Sequence, residues 1–399
     1  MQLRPATREE FDDFSRAAMS AFHRDYTDSD RERYRHIDEP ERSLAWFDDG
    51  RIVATTMAFT RRIAVPGGGE VPCAGVTAVA VVPTHRRRGL LTAMMRRQHE
   101  EIREAGEPVA ALWASEGTIY GRFGYGMAAL CGEIDILRTY SGFRSAPEHG
   151  GSFRLLSLDE ALEAFPPVYA RVAAETPGMF ARPREWWETR VLDDPESRRD
   201  GAGEMARVVL ERDGEALAYG LYRLKMDWED GSSTGQTQVL EAMGVSPEAT
   251  AGIWRYLLDV DWMERLQAWL LPVDHPLFLL LEHPRRMRFR LGDSLWVRLV
   301  DVGAALAARL RTGEDDVVLD VADAFCPWNN ARYSLDGSKT MADAELRLHV
   351  SDLGSAYLGG FTFAQLLRAG RVEELAEGAV ARADAAFRTD RAPWCPEIF

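Results

Sequence analysis

The residues best suited to chemistry form a basic run that directly follows a predicted strand. The segment Val79 to Leu91 reads VAVVPTHRRRGLL, with apolar residues up to Pro83, then the arginines Arg86 to Arg88, then Gly89. The first turn of a helix beginning here would present unpaired backbone N–H groups at the positive end of the helix dipole. Such a terminus binds phosphate, and nearby arginines add charge. The run therefore predicts a pyrophosphate site, with a solvated basic face as the alternative reading.

The elements around this run predict a mixed α and β fold. Short strands rich in Val, Ala, Thr and Ile fill residues 43–82, and the glycine triplet 67–69 marks a hairpin turn between two of them. Apolar residues at helical spacing predict a helix from Arg87 to Ala105, and Pro108 to Ala114 reads as the next strand. A strand, helix and strand in this order form a crossover unit, so the fold class is predicted as α/β (α+β).

The rest of the chain predicts two further domains. Gly, Ser and Pro cluster in a candidate linker from Ser141 to Ser152. After it come predicted strands and a helix from Ala249 to Leu266, and a third region opens near Leu295 with the strands VVLDVAD and AELRLHV and the helical tail VEELAEGAVARADAAF. The predicted domains are residues 1–140, 141–291 and 292–399.

Composition narrows the class of protein. Of 399 residues, 46% are apolar and 28% charged, which are ordinary globular values, and the formal net charge is -15. That charge repels nucleic acid and favours a cationic partner, although solubility alone also explains it. No run approaches the ~20 apolar residues of a membrane span, and no signal peptide is expected, so a cytoplasmic protein without membrane partners is predicted. The cysteines are few and lack a CxxC pair, which predicts neither a metal site nor disulfides.

Two blocks of sequence carry a resemblance to a known family. VAVVPTHRRRGLLTAMM contains a loop similar to the Arg/Gln-x-x-Gly-x-Gly/Ala motif of Gcn5-related N-acetyltransferases (GNAT), with Leu91 at the last position. Together with ALWASEGTIYGRFGYG, it resembles the enhanced intracellular survival family of actinobacterial acetyltransferases, and weaker similarity includes RPREWWETRV, GSAYLGG and the aromatic chain end. The resemblance implies two tandem GNAT-like domains, the second without its own cofactor site, a sterol-carrier-protein-like C-terminal domain, and a homohexamer.

The resemblance also implies acetyl-CoA as co-substrate and supplies candidate cofactor-binding residues. The strand Val79 to Val81 would pair with the pantetheine amides, and its N–H groups could polarise the thioester oxygen. The complete predicted set is Val79, Val81, Arg86, Arg87, Arg88, Gly89, Leu90, Ser115 and Ile119.

Tyr120 matches the family's general acid, which protonates the CoA sulfur. A phenol has an unperturbed pKa of ~10, close enough to that of an alkyl thiol for this transfer. The residues alone do not decide between Tyr120 and Tyr125, and the resemblance favours Tyr120.

The family's base is the carboxylate of the last residue, here Phe399. An α-carboxyl group, with a pKa of ~3.5, is ionised at neutral pH and can take a proton from an ammonium if it is held rigidly. The end RAPWCPEIF is rich in apolar residues, whereas most chain ends are polar and fray, so a docked terminus is predicted. Docking for stability alone is the other reading.

The predicted activity is acetyl-CoA-dependent N-acetylation of primary amines on polycationic small molecules such as aminoglycosides, at one or several positions. Candidate substrate-binding residues are Asp25, Trp113 and Glu397, with Asp28 and Asp30 as further anionic candidates. Two alternatives remain open: acetylation of protein lysines, and a non-catalytic lipid-carrier or scaffold role for the sterol-carrier-like end.

Overall fold

The structure is a computed structural model that describes residues 1–312 and 316–399. Within them the strands are, in chain order, β1 (Gln2–Arg4), β2 (Ser43–Asp48), β3 (Arg51–Val65), β4 (Gly69–Val81), β5 (Val109–Trp113), β6 (Gly126–Met127), β7 (Leu130–Leu137), β8 (Ser152–Leu155), β9 (Ala206–Arg212), β10 (Glu215–Lys225), β11 (Trp228–Glu229), β12 (Ser232–Ser233), β13 (Gly235–Gly244), β14 (Met263–Leu271), β15 (Arg290–Asp293), β16 (Leu295–Leu299), β17 (Leu319–Ala322), β18 (Ala331–Tyr333), β19 (Leu346–His349) and β20 (Val372–Glu374).

The α-helices of the same residues are α1 (Phe11–Ala21), α2 (Asp28–Tyr34), α3 (Leu90–Glu104), α4 (Gly117–Tyr120), α5 (Leu158–Ala174), α6 (Arg184–Trp186), α7 (Pro247–Leu258), α8 (Leu277–Leu280), α9 (Val302–Ala308), α10 (Val350–Tyr357), α11 (Phe363–Arg368) and α12 (Ala379–Phe387). Side-chain caps fix several helix starts; Ser157 and Glu160, for example, form a capping box at α5. In the part of the chain that the structure describes, no helix is long and apolar enough to cross a bilayer.

The chain divides into two compact units. Unit 1 comprises Met1–Ala129, Ser294–Pro393 and Ile398–Phe399, and unit 2 comprises Leu130–Asp293 and Trp394–Glu397. The chain first passes from unit 1 to unit 2 between Ala129 and Leu130. This point precedes the domain boundary predicted at residue 140, because β7 already belongs to the sheet of unit 2.

Unit 1 is built on a seven-stranded sheet with the order β1-β2-β3-β4-β5-β16-β6. The glycine triplet makes the predicted hairpin turn, since Val65 pairs with Gly69 across β3 and β4. The predicted crossover is also present, because β4 leads through α3 to β5 and the two strands are parallel. A smaller sheet in unit 1 has the order β18-β17-β19-β20 and belongs to the C-terminal region.

Unit 2 contains a second seven-stranded sheet, with the order β15-β7-β14-β13-β10-β9-β8. The two large sheets exchange strands along the chain: β7 follows β6 in sequence yet lies in the second sheet, whereas β16, more than 150 residues later, lies between β5 and β6 of the first. Each sheet is therefore assembled from segments that are far apart in the sequence.

Two predicted helices were partly wrong. The helix expected from Ala249 to Leu266 ends at Leu258, and Met263–Leu271 is strand β14, because its apolar residues pair with the neighbouring strands β7 and β13. The predicted helical tail begins instead with β20, which pairs with β19, and only Ala379–Phe387 is helical. Tertiary pairing overrides helix propensity in both segments.

Candidate active site

The site begins where β4 and β5 separate within unit 1. The parallel pairing of these strands runs from Cys73 to Gly75 on β4, opposite Val109 to Ala111, although β4 continues to Val81. The last residues of β4 therefore carry main-chain N–H and C=O groups on an edge that β5 has left. Such an edge can hydrogen-bond an extended, amide-bearing ligand in the manner of an added strand.

A β-bulge shapes the same stretch of β4. Met57 on β3 pairs with Thr77, and Thr55 pairs with Ala80, so β4 carries one extra residue there. Ala78 takes a positive φ of 53°, and its carbonyl accepts a 2.7 Å hydrogen bond from Thr55 Oγ1. A bulge bends a strand and re-aims its backbone groups, as bulges near active sites commonly do.

Helix α3 opens directly beyond β4 and presents its N-terminus at an exposed loop. Gly89, the residue before the helix, has a φ of 81° and supplies no capping side chain, while Arg87 has a φ of 63°. A Cβ placed on Gly89 would have nothing within 4 Å, so the space beside this backbone is open. The helix starts at Leu90 rather than at the predicted Arg87, because both positive φ values lie outside the helical region.

The three arginines of this loop are exposed and lie around the helix start. Arg86 Nε donates to the Val81 carbonyl at 3.2 Å, and Arg88 Nη2 donates to the Thr84 carbonyl at 3.1 Å, so both side chains fold back along the loop. Free backbone N–H groups, the helix dipole and guanidinium groups together suit a pyrophosphate. The residues present thus fit the phosphate end of an acyl-CoA.

Replacing Gly89 with alanine should weaken acyl-CoA binding by roughly tenfold, the equivalent of about 1.4 kcal/mol. The added methyl group would strain the positive φ and occupy the open space beside the helix N-terminus. Gly106 is a matched control, since its φ is 73° and its Cβ position is equally open, but it follows the other end of α3. Calorimetry should show equal losses of stability and a loss of affinity only for Gly89→Ala; equal affinities would contradict the assignment.

Tyr120 closes the short helix α4 and is buried, with 5% of its surface exposed. It packs in the core cluster that contains Val76 of β4 and Met95 of α3. Burial raises the pKa of its phenol to about 12, and a hydrogen bond with Ser115 partly opposes that rise. The phenol is therefore protonated at neutral pH and can act as a proton donor.

Tyr125, the rival candidate, lies deeper in the same core. Its hydroxyl is 3.2 Å from His99 Nε2, and His99 Nδ1 is 3.8 Å from the Cys326 sulfur. Burial raises the pKa of Tyr125 well above its usual value and lowers that of His99 well below its own. Both groups are therefore neutral near pH 7 and form a buried polar chain beneath Tyr120, whose ring meets that of Tyr125 edge to face at 5.9 Å.

The last residue of the chain docks on β4. Phe399 is 9% exposed, and a Cβ built on Gly75 would lie 3.3 Å from its ring and 3.2 Å from Cγ of Arg61. Gly75 is also the last residue of β4 that pairs with β5. The chain end therefore lies at the point where the two strands begin to separate, and the glycine makes room for it.

The other predicted cofactor residues lie around the same opening. Val79 and Ile119 are partly buried against the core cluster that holds Tyr120, and Val81 packs against a neighbouring cluster. Ser115 is exposed in the turn after β5. Trp113 ends β5, and within the described residues its buried indole Nε1 has no hydrogen-bond acceptor.

The predicted anionic residues are scattered. Asp25 is exposed between α1 and α2, Asp28 pairs with Arg31 at 3.1 Å, and Asp30 caps α2. Glu397 lies in unit 2, where it is buried and already accepts hydrogen bonds from protein donors. Its contact with substrate stays a prediction.

Sequence reasoning missed Gly75 and the Ala78 bulge. A glycine inside the strand text VPCAGVTAV is a signal of close approach by another group and could have marked the docking point. The bulge has no such signal, since Ala78 is an ordinary strand residue by type.

Comparisons with known proteins agree with this architecture. A family profile described as "Acetyltransferase (GNAT) domain" matches residues 2–128, a second profile of the same description matches 178–299, and a "Sterol carrier protein domain" profile matches 302–396. The prediction of two GNAT-like domains followed by a sterol-carrier-protein-like domain is confirmed.

Relatives that match over most of their length are named as N-acetyltransferases. An uncharacterized N-acetyltransferase of Streptomyces avermitilis is 45% identical over 381 residues, covering 93% of this chain and 92% of that protein. N-acetyltransferase Eis of Mycobacterium bovis is 36% identical over 85% of this chain and 84% of its own length. The crystal structure of Eis1 from Mycobacterium abscessus superposes with a TM-score of 0.87 at 33% identity, with all of both chains covered. These relatives and the three matched domains show that the chain belongs to the Eis family of GNAT enzymes and is an N-acetyltransferase that transfers acetyl groups to amines.

Proposed function

We propose that this enzyme transfers the acetyl group of acetyl-CoA to primary amines of polycationic small molecules, aminoglycosides among them, with Tyr120 as general acid and the Phe399 carboxylate as base. The observation that carries the proposal is the docking of the chain end against Gly75, at the start of the opening between β4 and β5. An ionised group held there would be fixed by packing rather than left to fray.

Each part of the site has one task in this proposal. The edge of β4 beyond Gly75 holds the pantetheine arm, and the N-terminus of α3 with Arg86 to Arg88 binds the pyrophosphate. Main-chain N–H groups at the bulge stabilise negative charge on the thioester oxygen.

Proton transfers complete the reaction. The Phe399 carboxylate, directly or through water, removes a proton from the substrate ammonium. The neutral amine nitrogen then forms a bond to the acetyl carbon and gives up its second proton to solvent, the carbon–sulfur bond breaks, and Tyr120 gives its proton to the departing sulfur. Tyr120 regains a proton from solvent and the carboxylate releases its own, so that one proton is released per acetyl group transferred. The raised pKa of Tyr120 keeps that proton in place until the thiolate develops.

The substrate class rests on charge and on the family resemblance. The formal net charge of -15 favours the approach of polycations over nucleic acids. Trp113 offers an indole N–H at the end of β5 to a substrate hydroxyl or carbonyl oxygen, and Asp25 offers an exposed carboxylate. The resemblance further implies a homohexamer, which light scattering would test. The cytoplasmic location predicted from the sequence would be tested by cell fractionation.

Product mass spectrometry tests the proposed substrate class. The enzyme is incubated with acetyl-CoA and, separately, a kanamycin-type aminoglycoside, a linear polyamine, a lysine-containing peptide and a simple monoamine. The aminoglycoside is expected to be acetylated with the highest kcat/KM of the four substrates. The number of acetyl groups found on each product molecule reports how many substrate orientations the site admits. Preferential acetylation of the peptide would replace the small-molecule assignment with protein lysines.

Gly75→Ala should lower kcat by roughly tenfold, since a misplacement of about 1 Å is costly in catalysis, while leaving acetyl-CoA affinity unchanged. The new methyl group would meet the Phe399 ring at 3.3 Å and push the chain end away. Gly220→Ala is the control, because its Cβ would meet Val208 at 3.2 Å inside unit 2 without touching the chain end. Steady-state kinetics on both variants should separate a shifted terminus from simple overpacking; equal kcat values would argue against the docked base.

A further inference from the structure

Unit 2 repeats the strand opening of unit 1. The parallel pairing of β13 with β14 ends at Val239 and Ala268, although β13 continues to Gly244 and β14 to Leu271. A bulge lies at the same point, since Tyr222 pairs with Val239 and Leu221 with Glu241, which leaves one extra residue on β13. Both large sheets therefore have a bulged strand that separates from its parallel neighbour.

The helix after this second opening is not suited to a phosphate. Ser246 caps α7 by accepting a 3.2 Å hydrogen bond from the Ala249 N–H, and Pro247 has no N–H to offer. Glu248 adds a carboxylate to the first turn, where it would repel an anion. At the start of α7, the side-chain cap Ser246 stands where α3 has Gly89, and the acidic Glu248 follows it instead of a run of exposed arginines.

The C-terminal segment of the chain is attached to both strands of this second opening beyond their last paired residues, directly to β14 and through an arginine side chain to β13. Trp394 donates its indole N–H to the carbonyl of Leu270 on β14, and its backbone N–H donates to Pro177 at 2.8 Å. On the other side, Glu397 is joined to Glu241 of β13 through a single arginine, Arg182. The chain's own tail is therefore held beside the stretch of this sheet where β13 and β14 are no longer paired.

Arg182 is the centre of this attachment. Its Nη1 and Nη2 donate to the two oxygens of Glu241 at 2.9 and 2.7 Å, and its Nε donates to Glu397 at 3.1 Å. Trp186 Nε1 donates to the same Glu397 oxygen at 2.6 Å. The guanidinium lies 4.0 Å from the Tyr169 ring centre, and the side chain is 1% exposed.

Neighbouring carboxylates keep the buried Arg182 guanidinium in its charged form. Burial alone lowers the pKa of Arg182, but the carboxylate of Glu241, together with Tyr169 and Glu397, raises it well above its usual value. All five guanidinium N–H groups point in a fixed planar fork, so one arginine can hold two carboxylates in defined positions.

We propose that Arg182 is a positioning residue for the C-terminal base, and that the second GNAT-like sheet serves as the anchor of the chain terminus in place of a cofactor site. The inference rests on the proposed function, because it gives a role to Phe399. Only Ile398 separates the ion-paired Glu397 from Phe399, and two residues of extended chain span at most about 7 Å, so the ion pair limits how far the terminal carboxylate can move. Catalysis is sensitive to placement errors of about 1 Å, which can cost 10²-fold in rate.

A double-variant cycle tests the inference. Glu397→Gln removes the ion pair but keeps an oxygen acceptor for Trp186 and Arg182. It should lower kcat by roughly tenfold, with KM for acetyl-CoA unchanged. The same substitution is then made in a chain extended by one glycine after Phe399, in which the terminal carboxylate is already displaced. There Glu397→Gln should cause no further loss, because the two changes act on one group.

The outcomes separate the inference from the proposed function. An equal, additive loss in the native and extended chains, or no loss in the native chain, would overturn the positioning role while leaving the base in place. An extended chain with full turnover would overturn the base itself and the positioning role with it. Arg182→Lys provides a second variant, since lysine keeps the charge without the planar fork and should reproduce the Glu397→Gln loss.

Asp194→Asn is the control for loss of a buried ion pair. Asp194 pairs with Arg223 at 2.6 Å in unit 2, both side chains are buried, and neither contacts the C-terminal segment in the described contacts. This variant should lose thermal stability comparably to Glu397→Gln while keeping kcat. A kcat loss equal to that of Glu397→Gln would assign the effect to stability and overturn the inference.

Discussion

Adding one glycine after Phe399 should lower kcat by roughly 10²- to 10⁴-fold, the usual contribution of a general base, while acetyl-CoA binds as before. The extension replaces the terminal carboxylate with a neutral peptide group and moves the charge at least one residue away. Because an α-carboxyl group is ionised throughout the neutral range, the loss should be the same from pH 6 to 9. Stopped-flow or steady-state kinetics with a fixed aminoglycoside, and calorimetry with acetyl-CoA, measure the two quantities separately.

Two further chains control for the docking of the ring. Phe399→Tyr keeps an aromatic ring and the terminal carboxylate, so its kcat should stay within a few-fold of the parent. Glycine added before Met1 lengthens the chain equally without touching the site. If the C-terminally extended chain keeps its turnover, the base lies elsewhere.

Tyr120→Phe should lower kcat by roughly 10²- to 10⁴-fold with little change in either KM, because it removes only the proton for the departing sulfur. The ring stays in its core cluster, so packing and acetyl-CoA binding should persist. Since the pKa of Tyr120 is raised to about 12, the phenol remains a donor across the working range. The parent enzyme should therefore show no alkaline fall in kcat from this group until the pH approaches 12.

Tyr125→Phe is the matched control, because it deletes a hydroxyl from the neighbouring ring. The variant should lose about 1 kcal/mol of stability with its hydrogen bond to His99, and its kcat should change only a few-fold. A larger kcat loss for Tyr125→Phe than for Tyr120→Phe would reverse the assignment of the acid.

The loop after β4 and the helix α3 could be predicted because their signals are local. Pro83 and Gly89 punctuate the chain within a few residues of each other, and the apolar spacing beyond them defines α3 whatever the rest of the fold does. The hairpin at the glycine triplet is local in the same sense. The start of α3 shifted by three residues only because Arg87 and Gly89 adopt positive φ values.

Long-range partners could not be predicted in this way. Arg182, Glu241 and Glu397 form one ion-paired group. Glu241 lies 59 residues after Arg182 and Glu397 lies 215 residues after it, so no spacing rule connects them. The family resemblance supplied the proposed role of Phe399 but not its contact with Gly75. Strand β14 was partly read as helix because its pattern is apolar without clear alternation, and only pairing with β7 and β13 makes it a strand.

The position of β16 has a consequence for biosynthesis. Strand β6 has β16 as its partner in the sheet, so the first sheet cannot be completed until residue 299 has left the ribosome. Until then, β6 and the edge of β5 that pairs with β16 have unpaired main-chain groups, which could pair with another nascent chain. A gene fragment ending at Ala129, although it spans a whole matched domain, should therefore yield aggregated protein, and coexpression of residues 130–399 should be needed to recover soluble material.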